Sequence, residues 1–88
     1  MNITEIKNKI LNVSIKSKNE VLFEGVAKSV SSQNDVGFFD ILPMHTNYVT
    51  LIKEFVVLDK GLSTEKYIQI ERGILTVVSD IVRVYAGI

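Results

Sequence analysis

His45, the only histidine in the chain, lies five residues after Asp40 and directly before Thr46, so one short segment carries an imidazole, a carboxylate and a hydroxyl. Those are the ingredients of nucleophilic hydrolysis, in which imidazole takes the hydroxyl proton and the carboxylate orients the ring. The spacing works against it. About 15 Å of extended chain separates Asp40 from His45, and Pro43 stands between them, so an orienting hydrogen bond requires the loop to fold back. No Gly-x-Ser-x-Gly turn exposes a serine. Metal binding is equally poorly served, with no His-x-x-x-His, no calcium loop and no Asp-x-Asp cluster. The absence of cysteine removes disulfides, thiolate nucleophiles and cysteine zinc sites together. Neither Gly-x-Gly-x-x-Gly nor Gly-x-x-x-x-Gly-Lys occurs, so there is no phosphate-cradling loop. His45 therefore reads as a ring that donates to a backbone carbonyl or lies at a contact surface. By elimination the chain is a binding or coupling module with no catalytic, cofactor or metal site.

The element that presents His45 is the run Val36-Gly-Phe-Phe-Asp-Ile-Leu-Pro-Met-His45, which holds the only proline and two of the four phenylalanines. It reads as a strand with a stop. Gly37 relaxes the backbone on entry, and Phe39 and Ile41 share one face at period two. Pro43, lacking an N–H, ends the pairing and puts Met44 and His45 on a loop.

At 88 residues the chain is one domain, with ordinary proportions of apolar (47%) and charged (23%) residues, which excludes disorder and fibrous repeats. Ten basic residues balance ten acidic ones, so there is no basic field to drive nucleic-acid binding. No apolar run approaches the roughly 18 residues of a bilayer span, and the first residues lack the apolar core of a signal peptide. The expectation is a cytosolic chain beginning at Met1.

Nearly every apolar position beyond residue 9 fits alternation. Leu11, Val13 and Ile15 form a half-buried strand, and Val21 and Phe23 repeat the pattern to Gly25. Val26 and Val30 continue it after a bulge or bend at the glycine. Ser31 to Asp35 is turn chemistry. Asn47 to Leu51 and Phe55 to Leu58 are separate strands divided by Lys53-Glu54. Asp59-Lys-Gly61 is a hairpin turn or the start of a longer loop reaching Lys66. Tyr67 to Glu71, Ile74 to Val78 and Ile81 to Tyr85 close a meander punctuated by Arg72-Gly73 and Ser79-Asp80. The fold expected is an all-β sandwich or flattened barrel of about eight to ten short, mostly antiparallel strands over residues 10–88, preceded by a short extension, 1–9. In that extension Ile3, Ile6 and Ile10 fall at helical spacing, too short a run to hold a helix alone. Ile74 to Val78 and Phe55 to Leu58 are apolar on both faces. Either this domain or another chain covers the second face.

The order of these pieces resembles the amino-terminal β-sandwich of the epsilon subunit of F-type ATP synthase, called delta in mitochondria. The pieces are Leu11 to Ile15, Val21 to Gly25, Gly37-Phe-Phe-Asp-Ile-Leu-Pro-Met-His45, Gly73 to Val77 and Ile81 to Val84. The resemblance implies a non-catalytic rotor component that binds the gamma subunit of the central stalk and rests on the polar loops of the membrane ring. It would work without a cofactor, nucleic acid or insertion into the membrane. Its location would be peripheral, on the cytoplasmic face of a bacterial plasma membrane or the matrix or stroma face in an organelle. Carried over by position, the partner contacts are Asn34, Asp35, Gly37, Phe38, Asp40, Met44 and His45. Three of these depart from the family's Gly-Glu-Phe-Gly-Ile-Leu-Pro-Gly-His: Phe38 stands for an acid, and Asp40 and Met44 for glycines. Thr46-Asn47 replaces the usual Ala-Pro, and Lys53-Glu-Phe55 the usual Pro-Gly. The two inhibitory helices of typical bacterial members fall beyond Ile88, so neither ATP binding nor a helical brake is expected. The alternative is a free-standing β-sandwich interaction module unrelated to ATP synthase.

Overall fold

The computed structural model describes residues 9–87, and the isoleucines expected at helical spacing at positions 3 and 6 lie outside that range. Seven strands follow one another: β1 Leu11–Lys16, β2 Val21–Ala27, β3 Val30–Gln33, β4 Phe38–Ile41, β5 Tyr48–Leu58, β6 Lys66–Val78 and β7 Ile81–Ala86. They form one hydrogen-bonded sheet in the order β2-β1-β7-β6-β5-β3-β4, with only the β1–β7 pair parallel. Were that sheet flat, five strand spacings, about 24 Å, would separate β1 from β4. Yet Leu11, Val13 and Ile15 of β1 share a single buried cluster with Val30 of β3 and Ile41 of β4. The sheet is therefore folded over on itself, and its two halves enclose one core, as in a sandwich.

The fold line crosses the long β5–β6 hairpin. Lys53 pairs with Arg72 and Phe55 with Gln69, so Glu54 alone faces Ile70 and Glu71. Glu54 adopts φ 75°, the left-handed region, and this bulge bends both strands. On one side of it Ile52, Leu75 and Val77 enter the core from the half that carries β1 and β7. On the other Val56, Leu58 and Ile70 enter it from the half that carries β3 and β4. The two strands expected on either side of Lys53-Glu54 are thus one bent strand. The same holds for the two expected around Arg72-Gly73, which brings the count to seven.

Gly73 is not a turn residue. It sits in mid-strand because a Cβ there would lie 2.8 Å from the Tyr85 carbonyl oxygen of β7. Gly25 likewise stays within β2, paired with Val13. The chain leaves that strand later, at Lys28-Ser29, to cross to β3. A register slip puts Leu22 in excess between the pairs Ile15–Phe23 and Lys16–Val21, which turns Val21 outward. Val26 also faces solvent, and Ala27 takes the inward position expected of it.

Ser31 and Ser32 belong to β3 and are buried, contrary to their turn-like composition. Burial of a hydroxyl demands a partner. Ser32 Oγ donates to the Phe55 carbonyl at 2.6 Å, next to the bulge, and Ser31 Oγ donates to Asp40 Oδ1 at 2.5 Å. The turn itself is Asn34–Gly37, closed by reciprocal main-chain bonds of 3.0 and 3.2 Å between its end residues.

Replacing Gly73 with alanine drives a methyl group into backbone and should destabilise the domain by about 1–3 kcal/mol. Denaturant unfolding at unchanged m-value is the measurement that checks it.

Candidate functional site

The Asn34–His45 segment is held by contacts from three other parts of the chain. At its first end Asn34 Oδ1 accepts the amides of Val36 (2.9 Å) and Gly37 (3.2 Å), which shapes the turn. Its Nδ2 donates to Tyr48 Oη and Thr50 Oγ1, both at 3.1 Å, and so ties the turn to the start of β5. Asp35 extends into solvent and reaches Lys53 Nζ at 3.4 Å. Gly37 has φ 145° and open space around it.

At the far end Met44 takes φ 71° in the turn after Pro43, and its amide donates to Asp80 Oδ1 at 2.6 Å. Asp80 belongs to the β6–β7 turn, where Ser79 and Asp80 both have positive φ, 48° and 63°, the signature of a type I′ hairpin. The His45 amide donates to the Leu42 carbonyl at 3.1 Å. Its Nδ1 lies 2.7 Å from the Thr46 carbonyl oxygen, and since a carbonyl only accepts, that nitrogen carries the proton. The ring packs on Tyr48 with centroids 5.6 Å apart. Asp40 is engaged elsewhere, with Ser31 and with Lys60 Nζ at 3.2 Å. Asp40 and His45 therefore have separate partners.

Tyr48 is the residue that joins the segment's two ends. It takes the Asn34 amide on its hydroxyl, meets Phe39 edge-on at 5.9 Å and packs on His45. The sequence alone placed it only within the strand expected over Asn47 to Leu51. The available signal was its spacing, three residues after the histidine at the opening of the next strand.

Two outer surfaces flank this segment. Along the β4 side three contacts reach over β3 in parallel: Asp35 to Lys53, Phe38 to Phe55 and Asp40 to Lys60. On the other half of the sheet, cross-strand pairing lines up Leu51, Ile74 and Tyr85 in one row and Val78 with Ile81 in another. Val49 and Leu51 are 67% and 66% exposed there. The open question about the two-sided apolar strands thus has two answers. Phe55 is shielded by Phe38 and Tyr67, and Val57 beside it is buried, whereas the outer face around Ile74 to Val78 is left open.

Among the described residues nothing in this geometry assembles a nucleophile with a base. The class the fold defines is a β-sandwich. The sequence matches the family model for the β-sandwich domain of the ATP synthase delta/epsilon chain over residues 10–87, and the chain belongs to that family. A sequence comparison with curated proteins gives no significant match. Among solved structures, a chain of the Euglena gracilis mitochondrial ATP synthase (OSCP/F1/c-ring) superposes with TM-score 0.78 at 11% identity, covering 88% of this chain and 50% of that one. A chain of the Tetrahymena thermophila mitochondrial ATP synthase central stalk and c-ring gives 0.69 at 7% identity, covering 89% and 63%. The present chain thus spans about half to two thirds of the length of the chains it resembles, and at these identities the likeness is one of fold.

The Ser31 hydroxyl and the Lys60 ammonium, against a smaller effect of burial, hold the Asp40 carboxyl below its ordinary 3.8. Burial pushes the Asp59 carboxyl up, but hydrogen bonds from Thr64 and from the Lys28 and Ser29 main chain, with the Lys28 charge, leave it lowered from 3.8. A depressed folded pKa gives stability that is present above the unfolded value and is lost as pH falls through the folded one. The denaturant midpoint should therefore be flat above about pH 5 and decline below about pH 4, with a shallower decline in Asp59→Asn. Asp80→Ala removes the acceptor of the Met44 amide. It should cost about 1 kcal/mol and speed exchange of that amide at least about tenfold, read by hydrogen exchange.

Proposed function

We propose that the chain is a non-catalytic central-stalk subunit of a proton-translocating F-type ATP synthase, coupling the gamma subunit to the membrane ring. The observation that carries this reading is the open apolar face of β5, β6 and β7. Leu51, Ile74 and Tyr85 in one row and Val78 with Ile81 in another lie on either side of a row of Val49, Thr76 and Arg83, and an apolar face crossed by a single polar row is the kind of surface that proteins use for contact. Membership of the delta/epsilon family supports a partner among the rotor components of the same complex. On this reading the aliphatic rows seat the gamma subunit. The turn of Asn34, Asp35 and Gly37 with Phe38 and Asp40 faces the ring loops, and Met44 and His45 complete the contact through Tyr48.

No cofactor enters this role, and the subunit turns over no substrate by itself. Its work is mechanical: a β-sandwich closed by cross-strand bonds transmits torque because its two halves cannot slide past one another without breaking the shared hairpin. The subunit lies peripherally on the side of the membrane that carries the catalytic head. That is the cytoplasmic face of a bacterial cell, or the matrix or stroma face of an organelle.

Tagged chain should co-purify with a gamma-type coiled-coil subunit from its native source, and recovery of a different partner class alone would count against the proposal. Leu51→Glu places a charge on the row of Leu51, Ile74 and Tyr85, and Val49→Glu places one beside it, opposite Thr76. Each should weaken that association at least about tenfold while leaving the melting temperature within a few degrees, because both positions are exposed in the free domain.

A further inference from the structure

Arg83 lies at the centre of the outer face that β2, β1, β7, β6 and β5 form. Alternation along β7 buries Val82 and Val84 and turns Arg83 outward. Its cross-strand neighbours are Ser14 of β1 on one side and Thr76 of β6 on the other, and the row runs on to Glu24 and to Val49. Because β7 is the middle strand of the five, either end of the row is two strand spacings away, about 10 Å.

Two residues along the strands, about 7 Å to either side, the surface around Arg83 is apolar: Ile81 with Val78 on one side, Tyr85 with Ile74 and Leu51 on the other. A partner that spans both apolar rows must cover the guanidinium between them. Covering an arginine strips its water, and a buried charge left unpaired is strongly unfavourable. The domain itself offers nothing to offset it. Ser14 and Thr76 are hydroxyls, and the two ion pairs among the described residues, Lys53–Asp35 and Lys60–Asp40, involve other side chains. Glu24 is the one acid on the row, and from its place two strands away it makes no ion pair with Arg83. Escape to water at the rim would take the side chain across two strands or over an apolar row.

We infer that Arg83 sets the specificity of this face for a partner segment that places a carboxylate between two apolar stripes, the guanidinium meeting that carboxylate through its paired N–H donors. The partner's identity rests on the stalk reading, under which the segment belongs to the gamma subunit. The apolar rows give such a contact its area, and the arginine fixes its register. A segment shifted by one row would set its carboxylate against Ile81 or Tyr85 and leave Arg83 unpaired.

The test titrates the full chain onto the native complex stripped of its own copy. Arg83→Gln removes the charge, Arg83→Lys keeps it, Arg83→Glu reverses it, and Glu24→Gln removes the acid on the same row. Arg83→Gln is expected to weaken binding at least about tenfold and Arg83→Glu at least about a hundredfold, with Arg83→Lys within about fivefold and Glu24→Gln within about twofold of the unsubstituted chain. Both positions being exposed, each melting temperature should stay within a few degrees. Unchanged or tighter binding by Arg83→Gln, with Leu51→Glu still disruptive, means that the partner brings no carboxylate; it overturns the inference and leaves the stalk reading standing. Equal losses in Arg83→Lys and Arg83→Gln make the role one of packing, and a loss in Glu24→Gln that matches Arg83→Gln makes the acid the chain's own. Either result overturns the inference as well. An unsubstituted chain that does not bind the stripped complex removes both the inference and the stalk reading.

Discussion

The long hairpin of β5 and β6 turns a corner where Glu54 of β5 faces two residues of β6, and that corner governs the rest of the structure. One non-glycine residue in the left-handed region, a strain of order 1–3 kcal/mol, lets two strands serve both halves of the sheet. The expense is offset by the burial it permits, since Ile52, Leu75 and Val77 enter the core from one half while Val56, Leu58 and Ile70 enter it from the other. A core assembled this way has no separate layers to come apart. The strands that close each half, β1 and β7 on one side and β3 and β4 on the other, are set by pairing with the same hairpin.

Polar side chains then place the loops on this frame. Asp59 accepts the Lys28 amide at 2.6 Å and the Thr64 hydroxyl at 2.7 Å, clipping the β2–β3 connection to the β5–β6 loop. Asp80 holds Met44 through its carboxylate, while its own carbonyl accepts the Asn12 amide that starts β1. Asn34 secures the β3–β4 turn against β5. Each clip uses a short acceptor or amide side chain to satisfy backbone or hydroxyl groups that the loops leave unpaired. The segment around Pro43 is therefore held at both ends.

This organisation separates two kinds of surface on one small body. The apolar rows of β5, β6 and β7 lie on the outer face of the sheet with Thr76 and Arg83 between them. The aromatic row on β4, β5 and β6 is narrow and bounded by ion pairs. The bent hairpin contributes to both, so covalent chain and cross-strand bonds connect them directly.

How much of this the sequence foretold varied with the range of the interaction involved. The all-β class, the strand ending at Pro43, the outward loop of Met44 and His45 and the turn at Ser79-Asp80 were all legible, because alternation, the missing proline N–H and turn chemistry act within a few residues. The family resemblance was legible for the same reason, since its motif is a local string. Strand continuity was not. Lys53-Glu54 and Arg72-Gly73 read as breaks between strands because charged pairs and glycine also mark strand ends, and only the pairing register shows that the chain continues as strand. Ser31 and Ser32 read as a turn because their burial depends on Asp40 and on the Phe55 carbonyl, 9 and 23 residues away. Tyr48 became the meeting point of the motif's two ends by the same kind of long-range contact, as did the alignment of Phe38, Phe55 and Tyr67. The sequence by itself determined which residues alternate, where strands stop and to which family the chain belongs. Tertiary structure alone decided where the sheet folds and which side chains share a surface, because both follow from pairing between residues far apart in the chain.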